Sequence, residues 1–160
     1  MLQNLKIENV AIIESADICF DSGLNIMTGE TGAGKSIVID SINAVLGERT
    51  SRELVRTGTQ KASVTAVFKS ESDKVKFLLD ELDIDSEDDG TLIIRRTITA
   101  DGKNACRING TPVTVGMLKS LGRELINIHG QHDSQRLLDP ESHCGFVDEM
   151  AGNTALLNEY

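Results

Sequence analysis

Proline is scarce in this sequence, with two in 160 residues, while hydrophobic side chains make up 39%. That combination excludes a largely disordered chain, and the length allows one domain with a real core. No apolar run approaches the ~20 residues that span a bilayer. The opening Met1-Leu2-Gln3-Asn4-Leu5-Lys6 lacks the basic-then-apolar order of a secretion signal. Three widely spaced cysteines, Cys19, Cys106 and Cys144, are an odd number. They argue against a disulfide framework and for reduced thiols in the cytosol, and none sits in a motif that would make it a nucleophile. Positive charge is also short: 16 Lys and Arg face 25 Asp and Glu, for a net −9. A uniformly acidic surface repels nucleic acid. Any DNA contact by this chain would need a local basic cluster, either Arg49, Arg52 and Arg56 or Arg95 and Arg96. For both clusters a solvated, salt-bridged surface is the plainer reading.

What the chain does have is Gly29-Glu30-Thr31-Gly32-Ala33-Gly34-Lys35-Ser36. This run fits G-x-x-x-x-G-K-[ST], the phosphate-binding loop of nucleoside triphosphatases. Each residue type has a physical role. Glycines let the backbone turn tightly and bring its N–H groups onto phosphate oxygens. Lys35 puts a compact positive charge on the β and γ phosphates of ATP. Ser36 offers a hydroxyl to Mg²⁺, and the helix that follows points its N-terminus at the anion. The flanks agree with the motif. Leu24-Asn25-Ile26-Met27-Thr28 is short and apolar and predicts a buried strand. Ile37, Val38, Ile39, Ile42, Val45 and Leu46 recur at helical spacing, and Gly47 supplies a stop. A glycine-rich turn without a ligand would gain nothing from the lysine and serine.

Leu2, Leu5 and Ile7 predict an opening strand, and Ala16 to Phe20 a second, closed by the turn Asp21-Ser22-Gly23. Arg49 to Gly58 reads as a loop with a short helical turn. Ala62, Val64, Ala66 and Phe68 alternate as in a strand with one buried face. Ser72 is placed to cap a helix from Asp73 to about Leu82. The acidic stretch Asp83 to Gly90 reads as an exposed loop. Thr91 to Thr99 and Ala105 to Asn109 form a hairpin about Asp101-Gly102, with a second turn at Asn109-Gly110. Val113 to Leu121 predicts a helix closed by Gly122, and Leu125 to Ile128 a short buried strand ending at His129-Gly130-Gln131-His132. A further helix begins near Asn153. Helices interleaved with strands around a phosphate loop imply an α/β fold of the P-loop NTPase type. The hairpins add an antiparallel portion, so the sheet is expected to be mixed.

Hydrolysis also needs an acid that holds Mg²⁺ and a group that orients the attacking water. No run of four apolar residues ends in Asp or Glu with strand character. The nearest, Phe146-Val147-Asp148-Glu149, is broken by Gly145. The catalytic set is therefore incomplete, and the missing parts lie elsewhere in a longer protein or in a second chain. Gln131 is the candidate for a second element. It follows a predicted core strand, and its amide oxygen can ligate Mg²⁺ and hold a water. A polar loop residue without a ligand is the plainer reading, and Gln135 is the fallback. His129, His132 and His143-Cys144 fit no standard zinc spacing.

The stretch Gly23 to Ser36, together with Val55-Arg56-Thr57-Gly58, Ile108-Asn109-Gly110 and Ile128-His129-Gly130-Gln131-His132, closely resembles the RecN family of bacterial DNA repair proteins. That family lies in the SMC-like branch of the ABC ATPases. The likeness runs from Leu2 to about Gly152. It implies that residues 1–160 are the N-terminal part of an ATPase head, with the phosphate loop at 29–36, a Q-loop region at 129–135 and a coiled coil beginning after about 153. It implies that the signature motif and the Walker B acid follow later in the chain, and that two heads sandwich ATP as a homodimer. Gln131 then maps onto the Q-loop glutamine, a Mg²⁺ ligand and γ-phosphate sensor. Arg56, or Arg52, lies where SMC-like heads direct an arginine at the nucleotide. The nucleotide-binding set is thus Gly29, Glu30, Thr31, Gly32, Ala33, Gly34, Lys35, Ser36 and Arg56. Lys35 and Gln131 are the catalytic candidates, and Ser36 and Gln131 the metal ligands. The implied function is ATP hydrolysis in DNA double-strand break repair and recombination. The implied partner is DNA in the full-length protein, in the cytoplasm at the nucleoid and not at a membrane. Two positions depart from the family: Asp133 stands where Glu is frequent, and the hairpin Gly102-Lys103-Asn104-Ala105-Cys106 is less basic.

Two alternatives come from other classes. A small-molecule kinase would carry its acceptor pocket, basic lid and acid in one chain, and the acidic 83–90 loop is no such lid. An ATP-dependent dimerisation module would bind nucleotide without turning it over.

Overall fold

The computed structural model describes residues 1–28, 33–85, 87, 89–128 and 151. The phosphate-loop residues Gly29 to Gly32, the segment from His129 to Met150 that holds Gln131 and Gln135, and the helix expected near Asn153 all lie outside the described residues. Residues Met1–Ile126 form one compact unit.

The described residues of that unit form a six-stranded sheet with three helices. The strands are β1 (Leu2–Val10), β2 (Ile13–Cys19), β3 (Lys61–Lys69), β4 (Thr91–Thr99), β5 (Asn104–Ile108) and β6 (Thr111–Val113), in the order β2-β1-β3-β4-β5-β6. Every pairing among the described strands is antiparallel. The helices are α1 (Ala33–Val45), α2 (Asp73–Glu81) and α3 (Val115–Leu125), with a 3₁₀ turn at Arg52–Leu54.

Register explains the core. One cross-strand row reads Leu5, Ala66, Ile94, Ile108, and the next reads Ile7, Val64, Arg96, Cys106. All eight are buried, on the face that takes the helices. The row between them, Lys6, Thr65, Arg95 and Arg107, points to the other face, as the two-residue period of a strand requires. The helices close the core with Ile37, Val38, Ile42 and Val45 from α1, Val75 and Leu79 from α2, and Leu118 and Leu121 from α3.

Turn chemistry follows the sequence closely. Asn109 (φ 46°) and Gly110 (φ 84°) both adopt the positive φ of a tight hairpin loop, and Gly102 (φ 85°) does so in the other hairpin. The hairpin about Asn109-Gly110 closes on β6, which at three residues is too short to show a strand period in the sequence. Thr114 then caps α3, its hydroxyl accepting from the Met117 N–H at 3.2 Å. Ser72 occupies the cap position of α2 without a side-chain hydrogen bond to the helix.

Two expected strands are not formed. Residues 24–28 have no regular structure, and Leu24 and Ile26 are 86% and 74% exposed. An apolar strand of this kind is stable only between neighbours on both sides, and no described strand pairs with it. Leu125 is not in a strand but ends α3, with Ile126 its extended cap. The cause is Gly122, which does not stop the helix. It lies within α3 where the helix meets the residue just after α1, and a Cβ there would sit 2.6 Å from the Leu46 carbonyl oxygen. The glycine serves close approach, so the helix runs on.

Candidate nucleotide-binding site

The described part of the site is the first turn of α1. Gly34, Lys35 and Ser36 are exposed there, while Ile37 and Val38, one position further along, are already buried against the sheet. The first turn carries no acidic side chain. A helix N-terminus whose own first turn carries no acidic side chain favours an anion, because its first amides point away from the helix body. A Cβ built on Gly34 meets nothing within 4 Å, so the backbone there is open to an incoming group. The residues present therefore fit a bound phosphate chain. Ala33 contributes its backbone to the same turn.

The body of the helix is fixed. Ser41, fully buried, returns its hydroxyl to the Ile37 carbonyl at 2.6 Å, which satisfies a polar group that burial would otherwise penalise. At the far end Gly47 (φ 89°) closes the helix: its N–H donates to the Ala44 carbonyl at 3.1 Å and the Glu48 N–H to the Asn43 carbonyl at 3.0 Å. This pair of bonds is the Schellman arrangement, and glycine suits its left-handed residue.

Arg96 reaches the same end from β4. It is 3% exposed. Its Nη1 donates to the Ala44 and Glu48 carbonyls, both at 2.7 Å, its Nη2 to Thr50 Oγ1 at 3.0 Å, and its Nε to Asn104 Oδ1 at 3.1 Å. A cation at a helix C-terminus complements the partial negative charge there. Burial pulls the Arg96 guanidinium below its ordinary value, and burial pushes the neighbouring Cys106 thiol up. Arg96 is thus neither a DNA-facing residue nor a solvated one. The sequence held a signal for this: Leu92, Ile94, Arg96 and Ile98 share one parity of a strand, so the arginine occupies a core position. Arg95, on the opposite parity, donates from Nε to Ser63 Oγ at 3.1 Å on the outer face.

Arg56 is half-buried at the turn joining β1 to β2. Its N–H donates to the Asn9 carbonyl at 2.9 Å, and its Nη1 donates to the Ile12 carbonyl at 2.5 Å. Two non-glycine residues of that turn, Asn9 (φ 55°) and Ala11 (φ 47°), hold left-handed backbone. The 54–56 segment braces them, since the Ala11 N–H also donates to the Leu54 carbonyl at 2.8 Å. Arg49 and Arg52 are exposed and form no ion pair among the described residues. No group of three His, Cys, Asp or Glu residues able to hold a metal occurs among the described residues.

Residues 4–139 match the AAA domain family. The chain belongs to that family. Within it the chain corresponds to the N-terminal part of RecN. It is 45% identical to the DNA repair protein RecN of Halalkalibacterium halodurans across 100% of this chain and 29% of that protein. It is 46% identical to RecN of Bacillus subtilis across 95% of this chain and 26% of that protein. The chain thus spans under a third of the length of these curated relatives. Among solved structures it is similar to a chain from work on ATP-driven dimerization and DNA-stimulated activation of SMC ATPases. There the TM-score is 0.66 at 20% identity, covering 93% of this chain and 98% of that one. The SMC head domain of Thermotoga maritima matches with a TM-score of 0.57 at 22% identity over 74% of this chain and 41% of that one. The recombination mediator protein RecF matches with a TM-score of 0.57 at 18% identity over 74% and 29%. The fold is that of a P-loop NTPase of the SMC-head type, carried here by a mixed α/β unit with an antiparallel six-stranded sheet. No described helix is long and apolar enough to cross a membrane.

Proposed function

We propose that this chain, a member of a DNA repair ATPase family, is the N-terminal part of an ATPase head that binds MgATP at the N-terminus of α1. The observation that carries the reading is the run Gly29 to Ser36 leading into a helix whose body is buried and whose first turn, with Lys35 and Ser36, is exposed. The backbone N–H groups of Gly29, Glu30, Thr31, Gly32, Ala33 and Gly34 would bind the phosphates. Lys35 would neutralise their charge, and Ser36 and Gln131 would hold Mg²⁺. Mg²⁺ held there would supply positive charge to offset the negative charge that develops on the phosphates. Arg56, braced by the β1–β2 turn, is the arginine directed at the nucleotide. Turnover would require the rest of the head and a second head, with DNA break repair in the cytoplasm, at the nucleoid, as the task. The bare apolar side chains of Leu24 and Ile26 are consistent with further head elements packing beside residues 24–28.

Calorimetry with MgATP on the full-length protein and on Lys35→Ala tests this. Binding by the wild type and none by the variant is expected; equal affinity contradicts the assignment. The 160-residue chain alone is expected to hydrolyse little ATP. Robust turnover by it would mean that the catalytic acid lies within these residues.

A further inference from the structure

We propose that Arg96 is a positioning residue for the nucleotide site: it fixes the C-terminal end of α1 and thereby aims the phosphate-binding end. The inference rests on the nucleotide reading above.

The argument starts from what holds a helix on a sheet. Ile37, Val38, Ile42 and Val45 bury α1 against the strands, but apolar contact is non-directional and leaves a helix some freedom to roll and slide. Hydrogen bonds from a planar guanidinium are directional. Arg96 makes four of them, to the end of α1 (Ala44), to the segment after it (Glu48 and Thr50) and to the base of the β4–β5 hairpin (Asn104). Capping alone does not account for this. The Ala44 and Asn43 carbonyls already accept from the N–H groups of Gly47 and Glu48. The bond from Arg96 to Ala44 is additional to a completed cap, and it requires a buried guanidinium, which is costly to desolvate. A 13-residue helix is about 20 Å of stiff rod, so an orientation set at one end is delivered at the other. There, Gly34, Lys35 and Ser36 are exposed and depend on that orientation.

The test uses the full-length protein and MgATP calorimetry well below the melting temperature of each variant, with Lys35→Ala as a control. Arg96→Lys keeps the charge and loses the fork. It is expected to bind MgATP about tenfold more weakly, by the size of coupling that packed networks transmit. A role confined to stability would lower the melting temperature and leave the affinity of the folded protein unchanged, and that result overturns the proposal. Should Arg96→Lys fail to fold, Asn104→Ala removes one arm of the fork, with about a threefold loss expected; unchanged affinity there also overturns it. If Lys35→Ala loses binding while the Arg96 and Asn104 variants retain it, this inference fails alone. If Lys35→Ala retains binding, the nucleotide reading fails and takes this inference with it.

Discussion

The two ends of α1 are finished in opposite ways. At the C-terminal end Gly47 closes the helix, Arg96 forks onto the carbonyls, and α3 presses in so closely that a Cβ on Gly47 would lie 2.5 Å from the Lys119 nitrogen. At the N-terminal end Gly34, Lys35 and Ser36 stand in solvent, with open space beside Gly34. The first end invests in stability and tolerates little change of volume. The second is exposed at all three positions, as the proposed binding role requires. Mutations at the two ends should therefore separate affinity from stability.

The largest effect is expected at the open end. Lys35→Ala should weaken MgATP binding by more than about 100-fold, below what calorimetry detects, through the loss of a charge-assisted contact; affinity within about tenfold of wild type would break the assignment. At the closed end Gly47→Ala should cost about 3 kcal/mol, from the left-handed backbone and the clash with α3. Urea unfolding measures it, and a loss below about 1 kcal/mol would show that the helix contact readily gives way. The thiols sharpen the contrast by rate. Cys19 is exposed, whereas Cys106 is buried beside Arg96 with its thiol pushed up by burial. Timed alkylation with peptide mapping should find Cys19 modified well before Cys106; the reverse order would mean that the core beneath Arg96 opens easily.

Smaller effects belong to the rim. Lys119 and Glu48 form an exposed ion pair at 2.9 Å, so Lys119→Met should change stability by less than about 1 kcal/mol. At the hairpin beside Asn104, Asp101 is held below the usual carboxylate value by hydrogen bonds from Lys103 and Thr99. A lowered folded value favours the folded state above the ordinary carboxylate range and loses that contribution as pH falls through the lowered value. Asp101→Asn should slightly lower stability at pH 7 and converge with the wild type in acid, which flattens the acid limb of the stability curve. An unaltered acid limb would show that these bonds contribute nothing.

Much of this contrast was legible in the residues. The phosphate-loop pattern located the open end, Gly47 the stop, and the alternation of Ala62, Val64, Ala66 and Phe68 the inner face of the sheet. The turns at Asp101-Gly102 and Asn109-Gly110 required no tertiary information, because positive φ is a local demand. Local signals misled where packing decided the outcome. Gly122 reads as a terminator in isolation, but in the fold it is the notch that admits Leu46. Arg95 and Arg96 read as one basic pair by adjacency, yet strand parity sends one outward and the other into the core. Leu24 to Thr28 has the composition of a buried strand, and composition cannot supply the neighbours that bury it.

The same parity gives the sheet a means of rejecting its own errors. If β4 paired with β3 and β5 one residue out of step, Arg96 would turn to water and Arg95 would be driven in between Val64 and Cys106, with no carbonyl fork to receive it. A stranded cation in hydrocarbon is a heavy penalty for a single-residue slip. The guanidinium under α1 therefore works as a key cut for one alignment, and every slipped hairpin is the less stable for it.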